Sequence, residues 1–155
     1  MWVALDAEFY LAVDAGHEGC LGLLDDLGHS GKLLLPTAYQ EIADHCTNTQ
    51  DQELQEHALD AITFMAANGV LAAPHPAENV GIDDGLASQL ITEGLLKPDQ
   101  RNQALILAEC ACAQVSFLLT LDPEILAIDQ DLLRKIISEK DLQPFEIRGV
   151  STTNE

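Results

Sequence analysis

Three acidic side chains stand where a sheet protein usually places its chemistry. Asp6 closes the apolar run "WVAL" (2–5), and Asp122 follows "SFLLTL" (116–121). Glu41 falls in the second turn of a helix that starts after "KLLLP" (32–36). Carboxylates drawn together repel one another unless a cation neutralises them. Mg²⁺ and Mn²⁺ prefer oxygen ligands and keep water, which suits hydrolysis of phosphate esters. Each acid also has a plainer reading. Asp122 precedes Pro123 and suits a helix cap, and Glu41 suits an exposed helical position.

The elements that must position these acids alternate along the chain. "WVAL" reads as a strand, followed by helices through "AEFYLAV" and "EGCLGLLDDLG", the latter with Leu21, Leu24 and Leu27 at helical spacing. "HSG" breaks that helix, and "KLLLP" is a second strand whose Pro36 opens a helix through "AYQEIADHC". A long helix is expected over 51–67, ended by Gly69, with "VLAAP" as a third strand and "HPAENVG" as a loop. A helix through "DDGLASQLITEGLL" takes Asp83 or Asp84 as its cap, and another runs over about 99–113. The strand at 116–121 is followed by closing helices in "PEILAI" and "QDLLRKIIS", then by an edge strand in "PFEIRG". Short apolar strands separated by helices imply a parallel sheet of four or five strands covered on both faces, a three-layer α/β/α fold. Such sheets work at the carboxyl ends of their strands, where Asp6, Glu41 and Asp122 would meet. Trp2 is expected in the core, since strand one should be central, and Phe64 and Met65 are expected to pack.

Composition bounds the function. The 155 residues fit one domain over 1–148, with a disordered tail over 149–155, and a 47% hydrophobic content argues against global disorder. No apolar run is long enough for a membrane span, and "MWVALDAEFY" lacks the shape of a secretory signal, so a cytoplasmic location is expected. The net charge of −19, from seven basic and 26 acidic residues, disfavours general binding to duplex DNA. It leaves room for a basic protein partner, for solubility, or for adaptation to salt. Cys20, Cys46, Cys110 and Cys112 show no zinc or disulfide spacing and are expected as buried, reduced thiols.

The chain resembles the PIN domains, the nuclease fold of VapC-type toxin ribonucleases and of RNA-processing enzymes. The resemblance covers most of residues 2–148 and rests on "ALDAEFYL", "LLPTAYQEIADH" and "RNQALILAEC…SFLLTLDPEIL", in that order and at matching spacing. It implies that Asp6, Glu41 and Asp122 are catalytic acids holding Mg²⁺ or Mn²⁺, that Thr120 helps orient the site, and that Glu124 is an auxiliary acid. It further implies single-stranded RNA as substrate, an antitoxin as partner, and a homodimer built on apolar residues of the early helices.

The departures are specific. The family writes an Asp before its "AL(I/H)LA" stretch, where this chain has Gln103, and Ala7 and Glu8 replace the usual Thr/Ser and Asn after the first acid. A Gln carbonyl can ligate a hard cation but brings no charge, so a weaker hold on Mg²⁺ is expected. Asp99, four residues before Gln103 on the same helical face, and Glu8 are the compensating acids, although Asp99 also suits a helix cap. Glu109, six residues past Gln103, points elsewhere. Arg101 is the base nearest the rim and suits a phosphate contact or a solvated helix start, and His45 falls one turn after Glu41. Two functions follow: a metal-dependent RNA endonuclease, or a degenerate PIN-like module that binds protein or RNA without cutting. A phosphoacceptor receiver domain lacks its paired acids and late Lys here, and "DAE" only approximates the Asp-x-Asp of a haloacid-dehalogenase-like phosphatase.

Overall fold

A computed structural model describes residues 1–28, 30–72 and 81–150. The expected loop at 75–81 and tail at 149–155 therefore lie mostly outside the described residues, as do His29 and His75. The strands are β1 (Trp2–Leu5), β2 (Gly31–Leu34), β3 (Val70–Ala72), β4 (Phe117–Thr120) and β5 (Glu146–Gly149). All pair in parallel, in the order β3-β2-β1-β4-β5. The helices are α1 (Ala7–Asp14), α2 (Glu18–Asp26), α3 (Pro36–Thr47), α4 (Gln52–Thr63), α5 (Ile82–Thr92), α6 (Arg101–Ala113), α7 (Pro123–Leu126) and α8 (Gln130–Glu139).

Strand period explains the layering. Val3, Leu5, Leu34 and Leu119 turn to one face of the sheet, against Phe9 and Tyr10 of α1, Ala38 and Ile42 of α3, and Ala58 and Ala61 of α4. Ala4, Leu118 and Ile147 turn to the other, against Leu86 and Leu90 of α5, Ala104 and Leu107 of α6, and Leu133 and Ile136 of α8. Both faces are thus covered, as a parallel sheet requires. Burying one such Leu or Ile contributes about 1.5–3 kcal/mol. Ile42, fully buried, anchors the helix that carries Glu41.

Strand order fixes where the chemistry falls. The chain leaves β1 toward β2 and β3 on one side, then returns to β4 and β5 on the other. The order therefore reverses between β1 and β4, and a crevice opens beyond the carboxyl ends of those two strands. Asp6 follows β1 directly, and Asp122 follows β4 after Leu121. Gly149, the last residue of the expected "PFEIRG" strand, ends β5 and pairs with Thr120. A Cβ there would sit 2.7 Å from the Thr120 carbonyl oxygen, so only glycine lets β5 run this close behind the site.

Several expectations are corrected. Trp2 is 45% exposed, because it begins β1 at the rim away from the crevice. Its indole lies across Gly31, where any Cβ would meet the ring at 2.3 Å. Phe64 follows the end of α4 and is 50% exposed, while Met65 packs on the core as expected. Helix α5 is capped by Gly81, not by Asp83 or Asp84, and Asp83 is buried in its first turn. Among the described residues, no helix is long and apolar enough to cross a membrane. All four cysteines are free, with Cys20 and Cys110 buried and Cys46 and Cys112 half-buried.

Candidate functional site

Asp6 is placed by two roles at once. It is the N-cap of α1, with Oδ1 accepting from the Phe9 N–H at 2.9 Å. Its Oδ2 accepts from the Thr120 hydroxyl, in a short hydrogen bond reaching from the end of β4. That hydroxyl in turn accepts from the Asp122 N–H at 2.9 Å. Thr120 therefore ties together the two acids that flank the strand-order reversal. Asp122 caps α7, with Oδ1 accepting from the Glu124 N–H at 2.9 Å. The capping reading of Asp122 is thus correct, and it coexists with a place in the cavity.

A cavity of about 600 Å³ lies over this pair. Asp6, Glu8, Glu41, Asp44, Asp99 and Asp122 line it, together with His45, Arg101 and Gln103. The structure thus brings the three principal acids to one place. Of the auxiliary residues, Gln103, Asp99, Glu8 and Arg101 line the cavity and Thr120 hydrogen-bonds at its floor. Glu124 does not line it: its exposed carboxylate accepts from Gln100 instead. Asp99 reaches the cavity from the turn before α6, whose N-cap is Gln100, so its capping reading is not met. Arg101 is held against α5, donating to the Ser88 hydroxyl at 2.8 Å and to Asp84 Oδ1 at 3.1 Å. His45 lines the cavity with Glu41, as their spacing on one helical face suggested.

Gln103 faces Asp122 in the cavity. Its Nε2 donates to Asp122 Oδ2 at 3.4 Å. Where an acid would add charge, the amide makes a long, neutral contact that turns toward Asp122.

The electrostatics are those of a pocket in which six carboxylates outnumber one guanidinium, Arg101, itself paired with Asp84. Asp6 is pushed up to about 7, chiefly by burial, with added repulsion from Glu8 and Glu41. Hydrogen bonds from Thr120 and the Phe9 N–H pull the other way and are outweighed. Glu41 is also raised, first by burial and then by the charges of Glu8, Asp122 and Asp44. The acids therefore sense one another across the cavity, which is the condition for a shared cation.

Whether these residues suit a divalent cation turns on donor chemistry and spacing. The donors are all hard oxygens, the set that Mg²⁺ and Mn²⁺ select. Each Asp6 oxygen, and each Asp122 oxygen, is engaged by one hydrogen bond and can accept another, since a carboxylate offers about four lone-pair sites. Among the described residues, however, no group of three or more His, Cys, Asp or Glu side chains is drawn close enough together to hold a metal as they stand. The set therefore fits an ion held by one or two carboxylates and water, the usual Mg²⁺ habit, and not an all-protein cage.

Two features were missed by the sequence. Asp44, three residues after Glu41 on the same face of α3, adds to the anionic wall, and that spacing was its signal. Glu109, expected to point elsewhere, does so with a purpose: it is 4% exposed and binds Thr37 of α3. No sequence signal marks that pairing.

No protein-family model matches the chain, and no curated protein matches it. Among solved structures, it is similar to a chain of VapBC2 from Rickettsia felis, in a crystal structure of that protein bound to a DNA fragment from their promoter. The TM-score is 0.64 at 14% identity, covering 97% of this chain and 100% of the other. At that identity the likeness is one of fold. The chain has a PIN-like three-layer α/β/α fold, with an acidic cavity at the carboxyl ends of β1 and β4.

Proposed function

We propose that this chain is a metal-dependent endonuclease for single-stranded RNA. One observation carries the reading: Asp6, Glu41 and Asp122, far apart in sequence, line one cavity at the reversal of strand order. Asp6 and Asp122 would hold Mg²⁺ or Mn²⁺, with Glu41 and Glu8 available to the ion or its water. When bound, the cation supplies Lewis acidity and positive charge for phosphodiester hydrolysis. Thr120 fixes the Asp6 carboxylate by its hydrogen bond, and Gln103 steadies Asp122. Arg101, pinned by Asp84 and Ser88, stands ready for a phosphate oxygen. The remaining acidic surface repels a nucleic-acid duplex, which favours a flexible single strand entering at the cavity alone.

A protein partner belongs to the same proposal. The similar chain comes from VapBC2 bound to promoter DNA, and a net charge of −19 suits a basic antitoxin-like segment. The test is cleavage of an unstructured RNA in Mn²⁺ by the wild type and by Asp6→Asn. Cleavage by the wild type alone supports the proposal; equal activity in both removes it.

A second reading has its own observation. A neutral Gln103 amide contacts Asp122 where the resemblance to PIN domains leads one to expect an acid. That favours a module that binds RNA or protein without cutting. Metal-independent RNA retention by a wild type that never cleaves would select it.

A further inference from the structure

The N-terminus of α3 lacks a cap of its own. Its N-cap residue is Leu35, which makes no side-chain cap hydrogen bond, and its first turn holds no acidic residue. Pro36 removes one N–H at the first position. The next donor is met from elsewhere: Glu109 of α6 accepts the Thr37 N–H at 3.0 Å through Oε1 and the Thr37 hydroxyl at 2.6 Å through Oε2. A carboxylate is costly to bury unless its oxygens are satisfied, and the positive end of a helix dipole offsets part of that cost. The pairing is therefore directional and hard to exchange for another.

Its position gives it a second consequence. Helix α3 carries Glu41, Asp44 and His45 into the cavity, and α6 carries Arg101 and Gln103. Glu41 lies four residues after Thr37, one turn further along the same face. We propose that Glu109 is a positioning residue that clamps α3 to α6 and so fixes Glu41 relative to Gln103 and Asp122. The proposal rests on the metal-site reading for its consequence, but its geometry does not.

The experiment uses the full chain and four variants: Thr37→Val, Thr37→Ser, Glu109→Gln and Glu109→Ala. Mn²⁺ affinity is measured by calorimetry, melting temperature alongside it, and amide hydrogen exchange is followed on the metal-free protein. Thr37→Val keeps every charge and removes only the hydroxyl, so it separates positioning from electrostatics. It is expected to weaken Mn²⁺ binding about tenfold, the low end of what loss of an outer-shell partner costs a metal site. Thr37→Ser restores the hydroxyl and is expected to stay within about twofold of wild type. Glu109→Gln keeps one acceptor and should fall between wild type and Glu109→Ala. In the metal-free protein, Thr37→Val should speed exchange at the amides of residues 37–41 about tenfold and leave α5 unchanged. A Thr37→Val protein that melts lower yet binds Mn²⁺ like wild type overturns the proposal and leaves Glu109 a cap only. Should wild type bind no Mn²⁺, the metal reading fails by itself, and exchange at Glu41 decides this one: unchanged protection there overturns it.

Discussion

Replacing Gln103 by Asp puts a charge where the structure has a neutral donor. Gln103 Nε2 lies 3.4 Å from Asp122 Oδ2, so the new carboxylate would sit within about 5 Å of Asp122, an unfavourable interaction of about 3 kcal/mol at an effective dielectric of 20. Both positions are half-buried, and water and salt reduce this to about 1–3 kcal/mol. For a chain of this size each 1 kcal/mol moves the melting temperature by about 2–4 °C. The metal-free variant should therefore melt several degrees below wild type. With Mn²⁺ the sign reverses, because the added charge becomes a ligand. A gain of about tenfold to hundredfold in affinity corresponds to about 1.4–2.8 kcal/mol. Calorimetric melting with and without Mn²⁺, with titration calorimetry, reads both halves. A variant that melts lower without metal but binds Mn²⁺ within twofold of wild type would refute Gln103 as part of the site. An unchanged melting temperature in the metal-free form would refute the electrostatic coupling itself.

Acidity should stabilise the metal-free protein. Asp6 moves from 3.8 to about 7 on folding, so the folded state holds the extra proton between those values and stability falls as pH rises through that window. The roughly three units between them correspond to at most about 4 kcal/mol. Thermal melts from pH 5 to 8 should show the decline, and Asp6→Asn should flatten it; a parallel slope in both proteins contradicts the assignment. Thr120→Val removes the donor to Asp6 and the acceptor for the Asp122 N–H, costing about 1–3 kcal/mol by urea unfolding, whereas Thr120→Ser should cost far less. Gly149→Ala forces a Cβ against the Thr120 carbonyl and Leu126, costing about 1–3 kcal/mol, and a near-neutral result would mean that β5 yields without disturbing the site.

Much of this arrangement was legible because it follows from local pattern. Runs such as "WVAL" and "SFLLTL" announce buried parallel strands, and acids directly after them must lie at one rim whatever the strand order. Asp6 and Asp122 could be placed together on that ground, and Glu41, in the second turn of the helix after β2, joined them with the help of the resemblance to PIN domains. The misses have non-local causes. Trp2 looked like core because β1 is central, but a strand's first residue lies at its rim, and the indole found Gly31 of the neighbouring strand. The Asp83 cap failed because Gly81, at a φ of 93°, ended the turn first. The Gln103 contact with Asp122 and the Glu109 clamp on Thr37 join residues 19 and 72 positions apart, respectively, and neither partner carries a local signature of the other.

In the proposed site one divalent cation is shared by the carboxylates of Asp6 and Asp122, which lie beyond the ends of β1 and β4. An anomalous difference map from crystals grown in Mn²⁺ tests it without reference to activity. A single strong peak is expected in the cavity, in contact with Asp6 and Asp122 and lost in Asp6→Asn. Saturating Mn²⁺ that leaves the cavity without a peak, or places one elsewhere on the acidic surface, would contradict it.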